Sequence, residues 1–192
     1  MSAEITNIIM VGVGGQGIIL ASEILSEAAL ASGHDVRKSE VHGMAQRGGS
    51  VSSHIRFGSA VSSPLIERGR ADYLLAFEKL ESLRACDHLR EGGTIVLNDC
   101  EITPSSVSQG KAAYPPDIDR ILRGMGFRVE MIDAEGIAAS IGVPKAANVV
   151  LLAALAARLG MGEEILLEVL SRHVPPKYLE ANRRAFRLGY GS

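Results

Sequence analysis

The chain has no tryptophan, and its aromatic content is only 4%. Surfaces that stack nucleic-acid bases need such rings, and a net charge of −2 offers no basic field for a phosphate backbone. A nucleic-acid partner is therefore not expected. Cysteine is equally scarce, with Cys86 and Cys100 the only two. An iron–sulfur cluster takes about four thiolates, so this chain alone is not expected to hold one. The pair also lacks the spacing of a zinc site, and no metal site is expected. Isolated thiols suit a reducing compartment. No basic stretch followed by an apolar run and a cleavage site stands at the start of the chain, so the cytoplasm is the expected location. Long apolar runs are missing too. The most apolar stretch, residues 146–159, carries Asn148 and Arg158 and falls short of the ~20 residues that span a bilayer, so no membrane partner is expected. A helix apolar on nearly all sides belongs in a core or against another chain. There is no P-loop, no H-E-x-x-H zinc helix and no nucleophile elbow.

What is present suits an ordinary globular chain of 192 residues, 46% apolar and 22% charged. Its organising stretch is Gly12-Val13-Gly14-Gly15-Gln16-Gly17. Residues 5–11 before it are short, β-branched and apolar, the pattern of a buried strand. Residues 18–31 after it place Ile18, Leu20, Ala21, Ile24, Leu25, Ala28 and Ala29 at three- and four-residue steps, which marks one face of a helix. The glycines thus turn a strand into a helix, where positive φ and close backbone approach are needed. The free N–H groups of such a helix start attract anions.

Further strands are expected at residues 51–57 (antiparallel to a neighbour, with Val51, Ser53, Ile55 and Phe57 on one face), 72–77, 94–98 and 127–132. Helices are expected at 78–89, ended by Gly92-Gly93, at 117–124, and from an Asp133 cap to Ser140. Residues 99–110 suggest a polar loop or a short strand pair. After Pro144 the chain turns helical, at 145–159, 163–172 and 177–188. Alternating strands and helices point to an α/β fold with a Rossmann-like, mostly parallel sheet, flanking helices and a C-terminal helical extension. Residues 1–192 are taken as a single domain, with an α/β core over 1–143 and a helical tail over 144–192.

Three groups can carry chemistry. The first is the glycine turn. The second is the loop after the second extended segment, with His42, Gln46, Arg47 and Gly48. A guanidinium beside glycines suits a carboxylate or phosphate, and His42 titrates near neutral pH. This loop should leave the same sheet edge as the glycine turn, where ligands of open α/β sheets bind. The third is the basic, amphipathic end at 177–187, expected to be a docking helix with a solvated face. One alternative is a stand-alone NAD- or FAD-binding protein. It would need an acidic residue about 20 positions beyond the glycines, at the end of a second buried strand. Glu40 is the nearest match, but Arg37-Lys38-Ser39 makes a poor buried strand.

The glycine turn together with Ser39-Glu40-Val41-His42-Gly43-Met44-Ala45-Gln46-Arg47-Gly48-Gly49 resembles the gamma-type domain of the 2-oxoacid:ferredoxin oxidoreductases. Residues 145–152 and 182–186 are similar to the helical end of that family, and the resemblance covers nearly the whole chain. It implies a subunit of a larger enzyme that decarboxylates a 2-oxoacid, passes electrons to ferredoxin and releases an acyl-coenzyme A. The expected substrate is an aryl 2-oxoacid, indolepyruvate first, with pyruvate or branched-chain 2-oxoacids as alternatives. The resemblance further implies that thiamine diphosphate and 4Fe-4S clusters sit in a large alpha subunit, with no cofactor on this chain alone. This chain would cover the thiamine site and help bind coenzyme A. Gly12, Gly14, Gly15, Gln16, Gly17, His42, Gln46, Arg47 and Gly48 are carried over as the residues facing that site, with no catalytic residue assigned. The isolated chain is expected to be inactive.

Overall fold

The computed structural model describes residues 5–42 and 49–192, with residue 42 described in its backbone only. Among them a six-stranded sheet runs in the order β2-β3-β1-β4-β5-β6. Its strands are β1 (Thr6–Val13), β2 (Asp35–His42), β3 (Ser50–Gly58), β4 (Ala71–Ala76), β5 (Leu89–Asn98) and β6 (Arg128–Ile132). β1, β4, β5 and β6 pair in parallel, whereas β3 pairs antiparallel with β1 on one side and β2 on the other. The alternation of β1 sends Ile8 and Met10 into the core on one face and Ile9 and Val11 into the core on the other. The first face is covered by α1 (Ile18–Ala31), α5 (Ala134–Ser140), α6 (Ala147–Arg158), α7 (Glu163–His173) and α8 (Pro176–Tyr190). Leu80 of α2 (Lys79–Ala85) and Leu122 of α4 (Ile118–Gly124) pack on the second face, α3 (Ser105–Ser108) being the remaining helix.

The strand order bears on the dinucleotide alternative. In a dinucleotide-binding fold the strand after the first helix lies beside the first strand. Here β3 separates β2 from β1, and Glu40 pairs with Lys38 at 2.8 Å on the sheet's outer strand. Glu40 is thus two strands away from the glycine turn's strand and not beside it.

Two expectations about elements need correction. The helix expected to reach Leu89 ends at Ala85, followed by a 3₁₀ turn at Cys86–His88, and Leu89 already opens β5. Gly92 and Gly93 do not stop a helix; they let a strand bulge. The register shifts between Ala71 and Tyr73, Gly92 has φ 67°, and a Cβ on Gly93 would meet the Arg90 carbonyl at 3.0 Å. Residues 99–110 contain the short helix α3 and no strand pair. The apolar helix α6, expected in a core or against another chain, lies in the core of its own chain. Residues 148–156 are all buried, between the sheet and α8. Its small side chains allow close approach, and Gly189 of α8 lies directly on the Val150 backbone. Phe186 fills the same interface with no exposure. The basic end docks as expected, and its Arg183 and Arg187 pair outward with Glu180 and Glu163. His173 ends α7 and meets Glu27 of α1 at 2.7 Å.

β3 is less half-buried than its alternation suggested. His54 points away from the Val51–Ile55 face, and residues 59–70 cross over it. Its Nδ1 accepts a hydrogen bond from the Ile66 N–H at 3.2 Å, and its ring meets His88 edge-on at 5.5 Å. Burial first, and His88 second, hold the His54 pKa below its ordinary value. An unfolded histidine takes up a proton near pH ~6.5, while folded His54 stays neutral to lower pH. Its stabilising contribution is therefore complete above that value and is lost as pH falls below it. A slope approaching ~1.4 kcal/mol per pH unit is expected from this one proton. His54→Asn keeps an acceptor for Ile66 and should flatten the slope in urea titrations between pH 7 and 5; an unchanged slope would assign it to other groups.

Candidate functional site

The glycine turn lies at the carboxyl end of β1. Gly12 is there because no side chain fits: a Cβ would stand 2.8 Å from Phe77 Cβ and 2.8 Å from Gln16 Oε1. Gly15 and Gly17 take φ of 106° and 82°, which glycine adopts without strain. The Gln16 side chain is consumed in building the turn. Its Oε1 accepts from the Val13 N–H at 2.8 Å and its Nε2 donates to the Phe77 carbonyl at 2.9 Å. The Gly14 N–H donates to the Gly49 carbonyl at 2.9 Å. Gly15 is exposed with open space around it, and the N–H groups of Gly15 and Gly17 have no partner among the described residues. So the turn divides its duties: Gly12, Gly14 and Gln16 hold its shape, Gly15 faces open space, and Gly17 leaves room for Asn148.

His42 closes β2, and its backbone pairs with Val51, which pairs in turn with Gly12. Both ends of the loop after β2 therefore reach the sheet edge of the glycine turn. Gln46, Arg47 and Gly48 lie outside the described residues.

Beside the turn opens a cleft of about 460 Å³. Gly15, Gln16 and Gly17 form one wall, Phe77 and Asn98 its floor, and Glu135, Lys145 and Asn148 the opposite side. It sits at the carboxyl ends of β1, β4 and β5, where parallel α/β sheets bind ligands. Two helices of more than two turns begin on it, α1 after Gly17 and α6 after Ala146. Neither has a side-chain cap, and neither has an acidic residue in its first turn. Their N–H ends present partial positive charge to the same space, and the Lys145 ammonium adds a full one.

Asn148 is the unusual member. It is 8% exposed, its Nδ2 lies against Gly17, and its amide makes no hydrogen bond among the described residues. The amide opens onto the cleft rather than into the core, so it stands free to bond a ligand there. Across the cleft the floor is fully bonded. Asn98 donates to the Phe77 carbonyl at 3.0 Å and to Glu135 at 3.0 Å, and accepts from the Ala134 N–H at 3.3 Å. Cys100 lies beside it, and burial together with Glu135 pushes its thiol up to about 12. Cys100 is thus a neutral thiol at this edge, without nucleophilic character. The arrangement can grip an anion and offers Glu135 as an acceptor, but it holds no activated nucleophile. No metal-binding cluster of His, Cys, Asp and Glu occurs among the described residues.

Residues 7–192 match the model of the pyruvate ferredoxin/flavodoxin oxidoreductase family. The chain belongs to that family. Its relatives include the indolepyruvate oxidoreductase subunit IorB of Thermococcus kodakarensis, 43% identical over 95% of this chain and 93% of the relative. In Archaeoglobus fulgidus it is 40% identical to subunit IorB and 28% identical to the 2-oxoglutarate synthase subunit KorC, each over 96% of this chain. Among solved structures, the gamma subunit of a keto/oxoacid ferredoxin oxidoreductase from Geobacter sulfurreducens superposes with a TM-score of 0.73 at 26% identity, covering 97% of this chain and 96% of that one. The 2-oxoglutarate:ferredoxin oxidoreductase of Magnetococcus marinus, solved with 2-oxoglutarate, coenzyme A and succinyl-CoA, shares the fold. Its TM-score is 0.77 at 22% identity over 98% of this chain and 31% of that one.

Sequence reasoning found the glycine turn and missed the opposite wall. Asn148 and Lys145 stand about 130 positions further on, and only the fold of α6 against α1 brings them to Gly17. The available signal was a lone asparagine at the start of an otherwise apolar helix, directly after Pro144-Lys145.

Proposed function

We propose that this chain serves an indolepyruvate-oxidising complex and holds the phosphate end of coenzyme A in the cleft between the glycine turn and α6. The chain is a subunit of a 2-oxoacid:ferredoxin oxidoreductase. The reaction of such a complex joins a 2-oxoacid and coenzyme A into an acyl-coenzyme A and carbon dioxide, and two ferredoxins each take one electron. Thiamine diphosphate and 4Fe-4S clusters in the large alpha subunit would supply decarboxylation and the electron path. This chain would cover the thiamine site in the cytoplasmic complex. Indolepyruvate is favoured over 2-oxoglutarate because identity within one organism falls from 40% for IorB to 28% for KorC.

The observation that carries the coenzyme A reading is the unpartnered Asn148 amide between two uncapped helix starts. A phosphate at that point would accept from Asn148 Nδ2 and from the Gly15 and Gly17 N–H groups, with Lys145 supplying charge. Such charge-assisted bonds are the strong ones. The coenzyme A bound in the Magnetococcus marinus enzyme supports the ligand class. In the loop that joins the same edge, Arg47 would add a guanidinium. Arg47→Ala should then weaken the anionic ligand, and Arg47→Lys should restore part of the loss, because an ammonium keeps the charge but loses the fork.

The test is reconstitution. The isolated chain should be colourless and without turnover, because two cysteines cannot supply the roughly four thiolates of a cluster. Mixed with the alpha subunit, it should restore indolepyruvate-dependent ferredoxin reduction at a higher kcat/KM than for pyruvate or 2-oxoglutarate. Turnover by the isolated chain, or a preference for pyruvate or 2-oxoglutarate in the complex, would contradict this assignment.

A further inference from the structure

A second cleft, of about 510 Å³, opens on the other side of the glycine turn, with Val13 and Ser50 on one wall and Thr103, Ser105 and Gln109 on the other. The second wall belongs to residues 103–113. None of these residues is buried, and the hydrogen bonds of α3 and its flanks stay within the segment: Val107 N–H to the Pro104 carbonyl, Gln109 N–H to Ser105, Lys111 N–H to Ser106. With no core residue of its own, the segment takes its position from its two ends.

Both ends are fastened to one carboxylate. Glu78 is 1% exposed and caps α2, its Oε2 accepting from the Glu81 N–H at 2.9 Å. Its Oε1 accepts from the Ile102 N–H at 3.1 Å and from the Tyr114 hydroxyl at 2.5 Å. Ile102 and Tyr114 are the residues on either side of the segment, so Glu78 closes its neck. Burial, then the Glu78 carboxylate, pushes the Tyr114 hydroxyl well above the ordinary phenol range, so it remains a donor. The latch is also tied to the glycine turn. Phe77, the residue before Glu78, takes hydrogen bonds on its carbonyl from Gln16 and Asn98.

We propose that Glu78 and Tyr114 are positioning residues, a latch that holds residues 103–113 as a wall for the ligand bound at the carboxyl edge. The proposal rests on the reading that coenzyme A binds at that edge, its phosphate end in the first cleft and its remaining length running past Val13 along this second one. A buried carboxylate serving three donors at once gives a defined resting position to a segment that packing alone leaves loose. Releasing one donor frees one end while α2 keeps its cap.

Tyr114→Phe removes that one donor and keeps the ring. Lys111 is the only lysine or arginine of the segment, so trypsin cleavage after it, followed by mass spectrometry on the full chain, reads the opening of the latch. Cleavage is expected to be roughly tenfold faster in the variant, the scale of one charged hydrogen bond. In the assembled complex, the KM for coenzyme A should rise several-fold while kcat changes little. An unchanged cleavage rate overturns the latch. Faster cleavage with an unchanged KM overturns the wall. Asn148→Leu in the same complex separates this proposal from the reading beneath it. If that variant leaves the KM for coenzyme A unmoved, the site reading fails. If it raises the KM and Tyr114→Phe does not, only the latch proposal fails.

Discussion

Asn148→Leu is expected to weaken ligand binding and leave the stability of the fold nearly unchanged. The side chain is largely covered, but its amide opens onto the cleft and has no partner among the described residues. Leucine has a similar branch point and length, so it fills the space beside Gly17 without leaving a polar group unserved. Because the amide bonds no described protein group, the replacement removes no hydrogen bond from the fold. The free chain should therefore keep its stability to within about 1 kcal/mol. Binding should suffer, because a hydrogen bond to a charged group contributes on the order of 1.5–3 kcal/mol. At ~1.4 kcal/mol per tenfold, the KM for coenzyme A in the assembled complex should rise roughly 10- to 100-fold. Thermal melts of the free chain and coenzyme A titrations of the complex read the two effects separately. A loss of stability with no change in KM would make Asn148 a packing residue.

Gly189→Ala is expected to damage the fold itself. The added Cβ would land on the carbonyl and Cα of Val150, in the middle of α6. A clash with a side-chain end can be relieved by a rotamer change, but this one is with backbone in a helix buried from Asn148 to Ala156. To make room, α8 must move away from α6, and Phe186 must leave its enclosed position. Forcing extra atoms into a packed core costs ~1–3 kcal/mol or more, and the upper end applies where backbone must shift. At ~2–4 °C per kcal/mol for a chain of this size, a loss of about 3 kcal/mol lowers the Tm by roughly 6–12 °C. Gly191→Ala is the control, since a Cβ there has only the Arg187 carbonyl nearby, at an ordinary 3.7 Å. Equal melting of both variants would show that α8 tolerates displacement from α6.

The two variants also mark what was legible in the sequence. The strand, glycine turn and helix over the first thirty or so residues are written in local chemistry: β-branched residues, glycines at positive φ, then a three-and-four apolar step. α1 begins at Ile18 and ends at Ala31 as the periodicity predicts. The antiparallel β3 was legible from its alternation. Gly92-Gly93 was not, because a glycine pair stops a helix or bulges a strand with equal ease, and only pairing with β4 decides between them. Residues 146–159 showed that they must be buried; what buries them is α8, whose Gly189 carries no hydrophobic signal. The candidate site divides in the same way. The half made by Gly12 to Gly17 is contiguous, whereas Lys145 and Asn148 reach it only through the packing of α6 near α1. A family resemblance supplied the class of reaction, but not the free amide on which the coenzyme A reading rests.

Amide hydrogen exchange of the assembled complex, with and without coenzyme A, tests that reading most directly. Slower exchange is predicted at residues 14–20 and 145–151, where two helix starts and Asn148 surround the cleft, and the same ligand should leave the amino ends of β1 and β4 unchanged. Protection confined to the alpha subunit, with residues 14–20 and 145–151 exchanging at the same rate in both states, would contradict it.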